Sequence, residues 1–136
     1  MSISKDLSRE ICSAIKERMP NVLAIYAFGS QISGFANSKS DLDLAVLVEG
    51  YADPVFLWDL ASGKLADIAK MPVDLLDMRA ASTVMQHQIL ATGSRLYEKD
   101  SFVNSFESFV FREKFDLDDK RAELFNDIKK RGSVYG

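Results

Sequence analysis

Eight residues, Asp41–Val48 (DLDLAVLV), constrain the fold of this chain more than any other stretch. The run is almost wholly apolar after its first three positions, and Glu49-Gly50 closes it. It reads as a strand. Side chains alternate along a strand, so Asp41 and Asp43 point the same way, about 7 Å apart. A fold has no need of two like charges there, because they repel and have poor apolar company. A divalent cation resolves the conflict, since Mg²⁺ favours carboxylate and phosphate oxygens.

A second apolar run, Val22–Phe28 (VLAIYAF), also reads as a buried strand. Residues 30–40 between the two runs are small and polar and read as a loop or short helical turn. Upstream, Ile3, Leu7, Ile11 and Ile15 recur every four residues, a helix that Pro20 ends. Asp53-Pro54 opens another helix, with a stripe at Trp58, Ala61, Leu65 and Ile68. Val73–Met78 reads as a short third strand, and Ser82–Thr92 as a helix stopped by Gly93. Arg95–Tyr97 reads as a fourth strand, and Asp100 to about Arg131 as helix, with an interruption expected near Asp116–Asp119. The order α β β α β α β α places two strands in succession, which favours a mixed sheet. The expected class is α/β (α+β): a small mixed sheet with helices packed on one face and the metal site on the other.

The 136 residues suffice for one domain with a real core. The expected division is 1–98 as the core and 99–136 as a C-terminal Phe-rich helical segment of the same domain. No apolar run approaches the length of a membrane helix. The amphipathic N-terminus is no export signal, and the lone Cys12 suits a reducing compartment, so the expected location is the cytoplasm. A net charge of −3 argues against direct nucleic-acid binding.

Asp74, on the third expected strand, is a third carboxylate able to converge on Asp41 and Asp43. Three carboxylates from neighbouring strands suit a two-metal site for in-line displacement at phosphorus. Gly29-Ser30 sits where the first strand ends. Glycine lets the backbone approach a ligand closely, and the serine hydroxyl and nearby amides can donate to phosphate oxygens. Lys39 and Ser40 are further candidates to touch a triphosphate, although a solvated loop explains them as well.

The pattern Gly29-Ser30, ten residues, Asp41-Leu42-Asp43, then Asp74 in VDLLDM, resembles the polymerase β-like nucleotidyltransferase superfamily. The short length is similar to its minimal branch, the MNT-domain antitoxins paired with HEPN-domain ribonuclease toxins. The resemblance covers about residues 1–98. It implies that Asp41, Asp43 and Asp74 bind Mg²⁺, two ions in all, and act as catalytic residues. It implies that Gly29 and Ser30 hold the triphosphate of ATP. It further implies transfer of AMP to a tyrosine of a HEPN toxin, with Asp74 the candidate to accept the hydroxyl proton. The alternatives are nucleotide transfer to a small molecule, as in aminoglycoside-modifying enzymes, and an antitoxin acting by binding alone.

Other polar residues read as structural. Arg79 and Arg95 are expected at the surface. His87, without a second His or Cys nearby, is not expected to bind metal. Cys12 reads as packing, and Asp77 as a turn or surface residue facing away from Asp74. Phe102, Phe106, Phe109, Phe111 and Phe115 crowd one segment. Phe102, Phe106, Phe109 and Val110 fit one face toward the body. Phe111 and Phe115 lie on a shifted face, open as either core or partner surface.

Overall fold

The structure is a computed structural model and describes residues 3–29 and 41–135. Helix α1 (Lys5–Arg18) starts where Ser4 Oγ accepts the N–H of Leu7 at 3.1 Å. Strand β1 (Val22–Phe28) follows, then β2 (Leu42–Val48). Helix α2 (Pro54–Leu60) is capped by Asp53, which accepts from the Val55 N–H, with proline in the first turn as expected. It runs on through a π-helical turn (Ala61–Leu65) into α3 (Ala66–Ala69). Then come β3 (Val73–Asp77), a 3₁₀ turn (Met78–Ala80), α4 (Thr83–Thr92), β4 (Ser94–Glu98) and α5 (Phe102–Tyr135).

The four strands form one mixed sheet in the order β3-β2-β1-β4. β1 pairs antiparallel with β2 and with β4, and β2 pairs parallel with β3. The mixed sheet agrees with the sequence reading, but the helices lie on both faces rather than one. Leu42, Leu44, Val46 and Val48 point to one side and pack with Ile11 and Ile15 of α1 and Leu57, Leu60 and Leu65. Ala45, Leu47 and Tyr26 point to the other and pack with Ile89 of α4 and Val103, Phe106 and Val110 of α5. The central strands are apolar on both faces, and each face requires its own cover. The face that carries Asp43 and Asp74 is therefore shared with α4 and α5.

Three local details differ from expectation. The stripe through α2 does not include Trp58, which is 69% exposed. The buried positions are Leu57, Leu60, Ala61 and Leu65, so the buried face keeps a four-residue spacing but starts one residue before Trp58. Helix α5 runs unbroken through Asp116–Asp119. Gly93 stops α4 in an extended conformation (φ −93°), not a left-handed one. A Cβ there would stand 2.5 Å from the Ile89 carbonyl oxygen and 2.6 Å from that of Ala27. Close packing against backbone, not turn handedness, demands the glycine.

Candidate functional site

One end of the sheet gathers the carboxylates. β1 finishes there at Phe28, which pairs with Asp43 near the start of β2. On the other side of β2, Asp43 pairs with Asp74 of β3. Asp43 and Asp74 are cross-strand neighbours in register, so their side chains leave the sheet on one face. Asp41 stands two residues before Asp43, just outside β2, and is exposed. Asp74 is exposed and Asp43 half-buried. Burial pushes the Asp43 carboxyl above its ordinary value, and the charges of Asp74 and then Asp41 push it the same way.

Gly29 completes the cluster. Its φ of +82° lies in the region that side chains rarely adopt, and a Cβ there would overlap Asp43 Oδ2. The chain thus turns out of β1 with its bare backbone pressed against the central carboxylate. Ser30, Lys39 and Ser40 lie outside the described residues, as does the expected loop over 30–40.

The site suits a hard cation. Its donors are carboxylate oxygens, its central carboxylate is held at an electrostatic disadvantage that a positive ion would relieve, and Gly29 carries no side chain that would displace that carboxylate. Among the described residues no three acidic, His or Cys side chains already stand close enough to enclose an ion. Asp41 and Asp74, both exposed, have the freedom to turn toward Asp43.

The remaining polar residues are occupied elsewhere. Asp77 is buried, not a surface residue: Oδ2 accepts the Ala52 N–H at 2.9 Å and Oδ1 the Arg79 N–H at 3.0 Å. It caps the 3₁₀ turn and ties it to the segment before α2. Arg79 donates from Nε to the Val48 carbonyl and lies over the rings of Phe102 and Phe106, five residues along β2 from Asp43. Arg95 donates to Glu107 at 2.8 Å and pairs with Glu98. Tyr26 donates its hydroxyl to the same Glu107 oxygen. Burial, with the Glu107 hydrogen bond second, pushes that phenol far above its ordinary value. This network was not read from the sequence; a buried tyrosine needing a partner was the available signal. His87 meets Phe111 edge-on at 5.3 Å between ring centroids. Cys12 is buried, and burial raises its thiol.

Helix α5 divides its aromatics differently from expectation. Phe106 faces the body with Val103 and Val110, whereas Phe102 and Phe109 are exposed. Phe115 is 70% exposed and Phe111 stands at the surface beside His87. The buried stripe keeps to positions 103, 106 and 110, because one helix offers the sheet only a narrow face.

Residues 10–102 match the family described as Polymerase beta, Nucleotidyltransferase. Over 88 residues the chain is 38% identical to the protein adenylyltransferase MntA of Shewanella oneidensis. That match covers 65% of this chain and spans 63% of the relative's length. A crystal structure of a toxin–antitoxin with AMP-PNP is similar at a TM-score of 0.78 and 30% identity, covering 90% of this chain and 98% of that one. A structure of tri-AMPylated Shewanella oneidensis HEPN toxin with MNT antitoxin is similar at a TM-score of 0.73 and 28% identity, covering 93% and 99%.

Proposed function

Because the chain belongs to the polymerase β nucleotidyltransferase family, we propose that it is an antitoxin that transfers AMP from ATP to a tyrosine of a HEPN-type ribonuclease toxin. The observation that carries this reading is the convergence of Gly29, Asp43 and Asp74 at one end of the sheet. The likeness to structures of toxin–antitoxin pairs over nine-tenths of the chain supports the choice of acceptor.

Asp41, Asp43 and Asp74 would hold Mg²⁺ as two ions, which supplies Lewis-acid neutralisation of phosphate charge when bound. Gly29 adds no side chain of its own at the β1 exit, which leaves Asp43 its place there and lets a triphosphate approach the backbone, with Ser30, Lys39 and Ser40 as further contacts. The tyrosine oxygen attacks the α-phosphorus in line. A new P–O bond forms, the bond to the bridging oxygen of the β-phosphate breaks, and pyrophosphate leaves with the electron pair. The phenol proton passes to Asp74, the solvent-open carboxylate of the edge strand. Residues 1–98 form the transfer core, and 99–136 a C-terminal Phe-rich helical segment of the same domain. The reading sets the reaction in the cytoplasm, where a lone buried thiol stays reduced. No described helix is long and apolar enough to cross a membrane.

The test is intact mass spectrometry of the toxin after incubation with this protein, ATP and Mg²⁺. Added AMP that persists after the two proteins are separated, with ribonuclease activity still low, is the expected result. Suppression by stoichiometric binding alone, with no added AMP under any nucleotide condition, overturns the reading.

A further inference from the structure

The order β3-β2-β1-β4 leaves the outer side of β3 without a strand. The N–H of Leu42 in β2 donates to the Pro72 carbonyl, and the register sets Leu42 opposite Val73. Backbone groups alternate sides along a strand, so those of Asp74 and Leu76 face β2. Those of Val73 and Leu75 face outward. Among the described residues no backbone hydrogen bond uses them. A groove of about 360 Å³ runs along this edge, lined by every residue of β3 and by Pro54, Leu57 and Trp58 of α2. Its lining includes Asp74, so the edge it follows carries a carboxylate of the candidate site. Trp58, the only tryptophan, stands largely exposed in its wall.

We propose that this edge is the acceptor subsite: an extended segment of the acceptor protein adds to β3 as a fifth strand and brings its tyrosine beside Asp74. The proposal rests on the transfer reading above. A row of outward peptide groups is answered by another peptide, which repeats its donors and acceptors at the same spacing. The wall beside it is apolar, so it asks for apolar side chains. Continuity with Asp74 makes the occupant the segment that carries the acceptor hydroxyl. Strand alternation then dictates its pattern. A side chain opposite Asp74 shares its face at about 5 Å. The residues on either side of it point to the other face, where Leu57, Trp58 and Leu75 lie. The acceptor tyrosine is therefore flanked directly by apolar residues.

Amide hydrogen exchange on the full chain, alone and bound to its cognate toxin with AMP-PNP, reads the edge directly. The Val73 and Leu75 amides should exchange fast in the chain alone and slow by at least about tenfold in the complex. The Asp74 and Leu76 amides, bonded to β2, should be slow in both. In steady-state transfer, Trp58→Ala should raise the KM for the toxin by about fivefold or more and leave kcat and the KM for ATP unchanged. An unprotected Leu75 amide in the complex, or a wild-type toxin KM in Trp58→Ala, overturns the proposal. Protection that appears in the chain alone and grows with its concentration assigns the edge to a second copy and also overturns it. If the wild-type chain transfers no AMP, the transfer reading fails. Protection of Leu75 would then mark a docking edge without transfer, and the acceptor assignment would fall with that reading.

Discussion

Asp43 answers two opposing demands. Its place between β1 and β3 takes its carboxylate partly out of water, and Asp74 and Asp41 add like charge, so its ionised form is disfavoured in the folded chain. Its folded pKa lies above the unfolded one. The folded state therefore holds the extra proton, and stability falls as pH rises from the ordinary aspartate value through the raised one. Asp43→Asn should remove that fall: without Mg²⁺ at neutral pH, thermal unfolding should show a variant at least as stable as the parent. The same variant should lose AMP transfer by orders of magnitude, measured as AMP incorporated into the toxin, because the proposed metal site loses its central carboxylate. Gly29 is bound to Asp43 by space. Gly29→Ala must adopt a positive φ and push against a carboxylate oxygen. We expect a loss of about 1–3 kcal/mol in denaturant unfolding and a larger fractional loss of transfer.

At the scale of elements, short caps and turns hold the site-bearing strands in place. Asp77 ends β3 by turning its carboxylate on two backbone N–H groups, one of them on the chain leading to α2. Asp77→Ala strands both amides in a buried place and should cost about 1–3 kcal/mol, seen as a lower denaturation midpoint. The folded fraction should keep its transfer rate, because Asp77 and Asp74 face opposite ways. Gly93 joins α4 to β4 where two backbone carbonyls leave no room for a methyl. Gly93→Ala should destabilise by about 1–3 kcal/mol, because neither carbonyl is the end of a flexible side chain. The π turn after α2 matters differently. Ser62 donates there to the Trp58 carbonyl, and Trp58 itself stands outside the buried face, in the groove along β3.

The whole molecule is a two-faced sheet with a long helix extending from one face. At 34 residues, α5 is about 50 Å long, more than twice the length of any strand. Val103, Phe106 and Val110 anchor its first turns, each contributing about 1.5–3 kcal/mol by burial. The Tyr26–Glu107–Arg95 network ties the same turns to β1 and β4. Beyond Leu117 the described side chains are exposed, including Leu124 and Phe125. Phe111→Ala with Phe115→Ala should leave the melting temperature within a few degrees of the parent. Capture of the toxin on an immobilised chain should weaken, with metal-site function intact, because these rings lie at or near the surface.

The order of the elements and the acidic residues Asp41, Asp43 and Asp74 are legible in local patterns. Period-two and period-four patterns, Asp53-Pro54 and the fixed spacing of Gly29, Asp41 and Asp43 are local, and local backbone geometry translates them directly. Helix boundaries for α1, α2 and α4 follow from capping residues within three positions. Which residues meet depends on contacts between elements distant in the chain. That Asp43 stands opposite Asp74 is a matter of register between strands 25 residues apart in the chain. The burial of Asp77, the partners of Arg79 and Arg95, and the outward turn of Phe102 and Phe109 all depend on what packs against each face. Local propensity carries no record of that neighbour. The second helical layer follows from the same cause: an apolar strand declares that both faces are covered, and only the path of the chain assigns the cover.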